Sequence, residues 1–406
     1  MKKLLIILIF LSPILVQAQG FQVNLQGQKQ QSMGGTGTGV ALDEASVFFN
    51  PGAVSHLEKN GVSLGISPTI ANSTYASSTN QSRDRTNSPV STPFTGYAVY
   101  GPQDSKFKFG LGVYTPFGST IKWQDNWAGH LQLTKLQLFS VFIQPTVSYK
   151  INDKIGVGAG FVYGIGKINL SKDIPITNSD GNFSSATLKG NANGIGFNVG
   201  VYLKPIEKLT IGITYRSQVN MKVRNGSAEF NVPSSASANF PNTSFTSSLP
   251  LPQVFSIGIG VKPIEKLLIT ADVNFIGWSA YKELAFDYDK NTAYLADTKS
   301  QRNYKDTYAF RLGGQYDVKE NLRVRAGIAY QLTPVQDGYV TPEVPDANKI
   351  SYTAGIGYKF ADKLTVDASF TFEDFAKRTD TNKENNFSGT YKTYIAIPGI
   401  SLTYNF

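Results

Sequence analysis

From residue 60 onward, apolar and polar positions alternate with a period of two. Leu322, Val324, Ala326, Ile328, Tyr330 and Leu332 form one face of a segment whose other face is Arg323, Arg325, Gly327, Ala329 and Gln331. The same scheme recurs at Ile350, Tyr352, Ala354, Ile356, Tyr358 and Phe360, and at Leu209, Ile211, Ile213 and Tyr215. Near residue 155 the apolar set Ile155, Val157, Ala159, Phe161, Tyr163 and Ile165 is opposed mostly by glycine. Period two with one apolar face marks half-buried strands. A soluble sandwich fills its inner face and wets its outer one. Here the apolar face ends in aromatics, and the opposite face carries glycine and charge, which suits lipid outside and a polar lumen inside.

The connections fall into two classes. Short turns of similar chemistry recur at 150–154, 204–208, 262–266, 317–321 and 359–363, with 101–105 as a sixth. Longer polar links lie near 76–91, 118–135, 171–189, 223–249, 279–303, 333–348 and 377–390. Short turns on one side and long loops on the other are typical of outer-membrane barrels. Six turns and seven loops join about fourteen strands, so the expected fold is all-β, a transmembrane antiparallel barrel over 59–406. Its last strand carries Ile400, Leu402, Tyr404 and Phe406. A terminal Phe on the apolar face resembles the C-terminal signature read by the barrel-insertion machinery.

The N-terminus reads as an export signal. Lys2 and Lys3 precede the apolar run Leu4 to Leu11, and Val16-Gln17-Ala18 has the small-residue pattern of a cleavage site. Residues 1–18 are therefore expected to be removed, leaving a chain bound for the bacterial outer membrane. The run is too short for a membrane helix, and no later stretch reaches about 18 apolar residues. Net charge is +9, or +9 − 2 = +7 without the two signal lysines. The basic residues are scattered, which argues against nucleic acid as a partner and fits a surface facing outer-membrane lipid. The absence of cysteine excludes a lipid-anchored Cys and thiol-based metal or redox sites. No cofactor motif and no metal-ligand cluster appears. The histidines, His56 and His130, sit away from strand Ser or Asp of matching parity, so a triad enzyme is disfavoured.

Residues 19–58 do not alternate. They carry Gly34-Gly35-Thr36-Gly37-Thr38-Gly39, then Asp43 to Phe49 as a possible short helix, then Asn50-Pro51 as its end. The glycine run could suggest a phosphate loop, but no strand precedes it and no Lys-Ser/Thr closes it, so that reading is weak. Some forty compact residues ahead of a roomy barrel suggest a plug, or else a periplasmic extension. Trp123 and Trp127 stand four apart in a loop; on a short helix they would share a face, either catching apolar ligand or packing on the rim. Parity puts Arg216, Arg323 and Arg325 on the lumen face.

These features together resemble the FadL/TodX family of outer-membrane transporters. The resemblance runs from Gly20 to Phe406 through Gly20-Phe21-Gln22, the glycine run with Asp43-Glu44-Ala45-Ser46 and Asn50-Pro51, Gly196 to Gly200, Thr214 to Ser217, Leu251-Pro252, Trp278-Ser279 and Tyr304-Lys305-Asp306. Gly52 stands where the family usually has Ala. The resemblance implies a fourteen-stranded barrel with an N-terminal hatch that carries Gly35, Gly37, Asn50 and Pro51. It implies passive transport of long-chain fatty acids or aromatic hydrocarbons, with lateral exit where the third strand is kinked.

By that resemblance Phe21 occupies the lumenal pocket or packs the hatch. Lys305 meets a substrate carboxylate or pairs with Asp306. Tyr114, Pro116 and Gly118 lie at the kink, or Pro116 merely ends the strand. Pro145, on the fourth strand, is expected to help leave the same gap unpaired. Arg216, Trp123 and Trp127 complete the candidate ligand contacts. A monomer suffices for such a path. A general porin and a surface adhesin are the competing readings of the same barrel.

Overall fold

A computed structural model of the chain describes residues 20–79, 82–102 and 105–406. The expected signal peptide lies outside the described residues. Among the described residues fourteen antiparallel strands follow one another. The first three are each in two pieces: β1 (Gly61–Ile66, Ile70–Ser77), β2 (Arg83–Arg85, Phe94–Tyr100) and β3 (Phe107–Tyr114, Gly118–Lys122). β4 (Lys135–Asn152), β5 (Ile155–Thr177) and β6 (Phe183–Ile206) are continuous. β7 (Leu209–Arg216, Val219–Asn231), β8 (Thr243–Leu251, Val254–Ile264), β9 (Leu267–Ile276, Glu283–Tyr288) and β10 (Thr298–Gln301, Thr307–Lys319) are again broken. β11 (Leu322–Gln331), β12 (Lys349–Ala361), β13 (Leu364–Phe375, Arg378–Thr381) and β14 (Ser388–Asn405) complete the ring. β14 pairs back onto β1, from Gly61↔Asn405 to Ile66↔Ile400, so the sheet closes into a ring.

The period-two pattern has its expected cause. Phe161, Ile195, Ile257, Leu312, Ile356 and Leu402 are exposed in the isolated chain and form the outward face. Aromatics ring that face at two levels. Phe107 against Tyr149 and Tyr404 against Phe406 lie at the turn end, and Phe197 against Tyr215 and Phe275 against Tyr308 lie nearer the loops. Two-residue turns such as Asp153-Lys154 and Glu207-Lys208 join strands at one end, where Lys150–Asp153 (2.7 Å) and Lys204–Glu207 (2.6 Å) pair across the turn. Such exposed pairs add little stability. They do account for the recurring lysine three residues before an acid.

The loops at the other end are shorter than the sequence suggests. β5 runs 23 residues and β6 runs 24, so much of the expected links 171–189 and 223–249 is strand. At about 3.3 Å per residue such strands reach roughly 75 Å, well past the apolar band of about 25 Å. Above the lipid both faces meet water or loops, and alternation no longer marks a strand. Lys189 and Glu229 pair at 2.8 Å in this upper region.

Residues 20–57 fold inside the ring. They form two single helical turns, α1 (Gln28–Gln31) and α2 (Ser46–Phe49), and a 3-10 helix over Pro51–His56. The inward glycines are their floor. A Cβ at Gly212 would overlap the Thr38 carbonyl, one at Gly158 the Pro51 carbonyl, one at Gly313 the Met33 carbonyl, and one at Gly355 the Ser32 side chain. Glycine lets the inner backbone lie directly on strand backbone. Polar bonds then fix it: Gly37 and Thr38 N–H both donate to Asp272 Oδ2 at 3.0 Å, and Arg311 Nη1 donates to Gly34 O at 3.0 Å. Nearby, Arg325 pairs with Asp367 at 2.7 Å, and Lys29 bridges Asp43 and Asp367. The buried charges of Arg325, Asp367, Lys29 and Asp43 are tolerated because each meets an opposite one.

Candidate functional site

The wall is interrupted between β2 and β3. Their ladder runs from Tyr100↔Phe109 to Thr95↔Tyr114 and stops. It resumes only where Asn87 N–H reaches Lys122 O and Thr86 bridges Trp123. In between, residues 89–93 of the chain face 116–121 without backbone pairing. Pro89 and Pro93, which have no N–H to donate, flank that stretch of β2. On β3 the break is a bulge: Tyr114 pairs Phe142 and Gly118 pairs Phe139, so three residues oppose two.

The polar groups of this bulge are not left bare. Val23 N–H donates to Pro116 O at 2.9 Å, Gly118 N–H donates to Phe21 O at 3.1 Å, and Ser140 Oγ donates to Phe117 O at 2.6 Å. The inner segment at residues 21–23 therefore pairs with β3 where β2 does not. Gly20 N–H is held in turn by Asp346 Oδ2 at 3.0 Å, in the loop between β11 and β12, and Thr333 Oγ1 donates to the same oxygen at 2.5 Å. Burial pushes the Asp346 carboxyl up to about 6, with the Thr333 and Gly20 bonds acting in the opposite direction.

A cavity of about 1050 Å³ opens at the break. Pro89 to Pro93 and Gly118 to Ile121 line it, together with Ile395, Ile397, Phe375, Lys349 and Glu373. A narrower apolar slot adjoins it, lined by Phe21, Phe117, Leu136, Leu138, Met221 and Leu251, with Tyr281, Arg302 and Glu343 also lining it. Leu138, Phe139, Lys167, Ile168 and Glu343 line both spaces. An apolar space with a few fixed polar groups is the ordinary form of a small-molecule site.

Each residue singled out in the sequence has a definite place. Phe21 is buried, lines the slot and lies 6.2 Å from the Tyr281 ring. Tyr114 is buried beside the break, donating to Gln144 Oε1 and accepting from Arg216 Nη1 at 2.8 Å. Pro116 lies in the bulge, Gly118 is where pairing resumes, and β3 continues beyond it, so Pro116 does not end the strand. Asn50 closes α2 and opens the 3-10 helix, accepting from Gly52 N–H and donating to Thr38 O and Val201 O; Pro51 is the first residue of that helix. Gly35 has φ +78°, where a side chain would also strike Arg311.

Four expectations need correction. Pro145 pairs with Leu111 within the unbroken stretch from Phe107↔Tyr149 to Tyr114↔Phe142, so it does not open the gap; its missing N–H interrupts pairing towards β5 instead. Trp123 and Trp127 form no helix and offer no face to a ligand. They are fully buried, stacked at 4.2 Å, and donate to Pro342 O and Leu133 O. Lys305 lines neither space; its backbone N–H bonds Pro334 O, and no bond joins its side chain to Asp306, whose carboxylate accepts from Ser279 N–H. Arg216 is engaged internally, donating to Tyr114 OH, Gln144 Oε1 and Phe48 O, and its guanidinium lies over the Phe48 ring at 4.0 Å.

Sequence reasoning missed Pro89 and Pro93, although two prolines inside an otherwise strand-like stretch were a usable signal. It also missed Arg302 and Glu343. They sit in loops with no periodicity, and nothing local announces that they meet.

Residues 10–406 match the family described as outer membrane protein transport protein (OMPP1/FadL/TodX). The chain belongs to that family. Relatives include a putative outer-membrane protein of Neisseria meningitidis, 25% identical over 96% of this chain and 95% of that protein. A long-chain fatty acid transport protein of Escherichia coli is 23% identical over 87% and 86% respectively. Among solved structures, a FadL homologue of Pseudomonas aeruginosa matches with TM-score 0.84 at 20% identity, over 96% of this chain and all of that one. The P. putida toluene transporter TodX matches with TM-score 0.74 at 17% identity, over 94% and 98%. This OMPP1/FadL/TodX member is therefore an outer-membrane protein of a transport family rather than an enzyme.

Proposed function

We propose that this chain is a passive outer-membrane conduit for hydrophobic small molecules, which rest in the cavity and leave sideways between β2 and β3. The observation that carries the reading is that the residues of the unpaired stretch line the cavity. An apolar cargo gains roughly 0.8 kcal/mol per buried CH₂, and a lateral exit passes it to lipid without crossing water. The inner segment acts as a plug: it fills the lumen, and residues 21–23 tie it to the bulge, so loosening it would alter the exit. Cleavage after residue 18, insertion through Phe406 and a monomeric state belong to the same reading.

The test is uptake of a labelled long-chain fatty acid and of an aromatic hydrocarbon by cells lacking and then regaining the protein. Deleting Pro116 leaves two residues opposite two and lets β3 straighten. Restored uptake of either probe, lost in the Pro116 deletion while the folded barrel persists, supports lateral release. Full uptake through the straightened strand refutes it. A steady open-channel conductance would point to a porin instead, and no uptake of either probe would favour an adhesin.

A further inference from the structure

The inner polar groups of the two spaces share a feature. Arg302, 4% exposed, spends its donors on the protein: Nη2 on both Glu343 oxygens at 3.2 and 3.3 Å, and Nη1 on Ser300 Oγ at 2.6 Å and Gln301 O. Lys349, 7% exposed, donates to Glu373 Oε2 at 2.8 Å and lies 5.1 Å over the Phe375 ring, while Ser351 donates to the other Glu373 oxygen. Asp346 adds a third carboxyl to the wall. The remaining cations among the lining residues, Lys167 and Lys189, are exposed, and Lys189 is bound to Glu229. Arg216 lies in a separate small polar space with Asp272 and Arg311, and its donors are taken by Tyr114, Gln144 and Phe48.

Resting on the transport reading, we propose that the cargo of this chain is an uncharged hydrophobe, and that Glu343 and Glu373 exclude carboxylates by occupying Arg302 and Lys349 in advance. A fatty-acid carboxylate brought into the slot finds both buried cations, Arg302 and Lys349, already paired. To gain Arg302 it must displace Glu343, leaving a second carboxylate nearly out of water without a partner, a strongly unfavourable exchange. A neutral ligand of the same length demands nothing of either pair and gains the full apolar contact of Phe21, Phe117, Leu138 and Leu251. The pairs act as a specificity element because rejection comes from the groups left unpaired.

The experiment uses the full mature chain in detergent at pH 8, with dodecanol and dodecanoate competing against a neutral fluorescent hydrophobe. Dodecanol is expected to bind at least tenfold tighter than dodecanoate. Glu343→Gln is expected to raise dodecanoate affinity at least tenfold and leave dodecanol within threefold, because Arg302 then has a vacant charge. Glu373→Gln is the independent arm, releasing Lys349 in the same manner. If neither glutamine variant folds, the double variant Arg302→Leu/Glu343→Leu should keep dodecanol binding and still reject dodecanoate. Dodecanoate equal to or tighter than dodecanol in the unmodified protein overturns the proposal and leaves transport intact. Glutamine variants that fold without gaining dodecanoate also overturn it. Binding of neither probe overturns both readings.

Discussion

Removing the Asp272 carboxylate should loosen the inner segment, residues 20–57, without harming the barrel. Asp272 Oδ2 accepts Gly37 and Thr38 N–H at 3.0 Å each, in a site where Asp272 is 3% exposed. A hydrogen bond to a charged group contributes about 1.5–3 kcal/mol, and a buried donor left without a partner costs a similar amount. Asp272→Ala therefore weakens docking of the glycine run by about 3–6 kcal/mol. At 1.4 kcal/mol per decade, the lower figure raises the population of the undocked plug roughly a hundredfold. Asp272→Asn keeps an amide oxygen able to accept both N–H groups and should cost clearly less. Hydrogen exchange at Gly37 and Thr38 reads the effect directly, and planar-bilayer conductance reads its consequence as brief openings. The strand ladder, paired from Leu267↔Tyr316 to Ile276↔Thr307, should keep its protection. Unchanged exchange at those two amides in Asp272→Ala, or equal effects of Ala and Asn, would refute the reasoning. Water entering the vacated space does not rescue the prediction, since it would itself speed exchange.

Three further outcomes follow from the packing. Gly212→Val places a side chain into the Thr38 carbonyl, so the barrel should still assemble but with raised basal conductance, because strand and plug cannot both keep their places. Trp127→Ala removes a fully buried ring stacked on Trp123 and leaves Leu133 O without its donor, which should cost about 3–5 kcal/mol in thermal unfolding in detergent, whereas Lys305→Ala should change it little. Asp346 has its carboxyl raised from 3.8 to about 6, so the folded state holds that proton more tightly than the unfolded one. Its contribution is fully present below about pH 3.8 and is lost as pH rises through about 6, an effect on the order of 3 kcal/mol. Protection of the 333–348 loop should fall across that window, and Asp346→Asn should flatten the dependence; an unchanged profile in that variant would assign the titration elsewhere.

What could be read from the sequence was whatever repeats locally. Alternation at 209–215, 322–332 and 350–360 is set by lipid on one face, and that pressure acts on every spanning strand alike, so strand number, turn positions and closure followed from the chain itself. Asn50-Pro51 marked a helix end for an equally local reason: Asn50 caps through its own neighbours. The upper halves of β5 and β6 escaped notice because outside lipid nothing enforces a period of two. The inward glycines looked like empty space in the sequence, but in the folded chain they carry the backbone of the inner segment. That contact links residues some 170 positions apart, as Thr38 does with Gly212, and has no local signature. The break between β2 and β3 depends on Phe21 to Val23 arriving from the far end of the chain to satisfy the bulge. Arg302 and Glu343 likewise meet only when two loops converge. Which charges neutralise one another depends on such distant encounters and was decided by the tertiary structure alone.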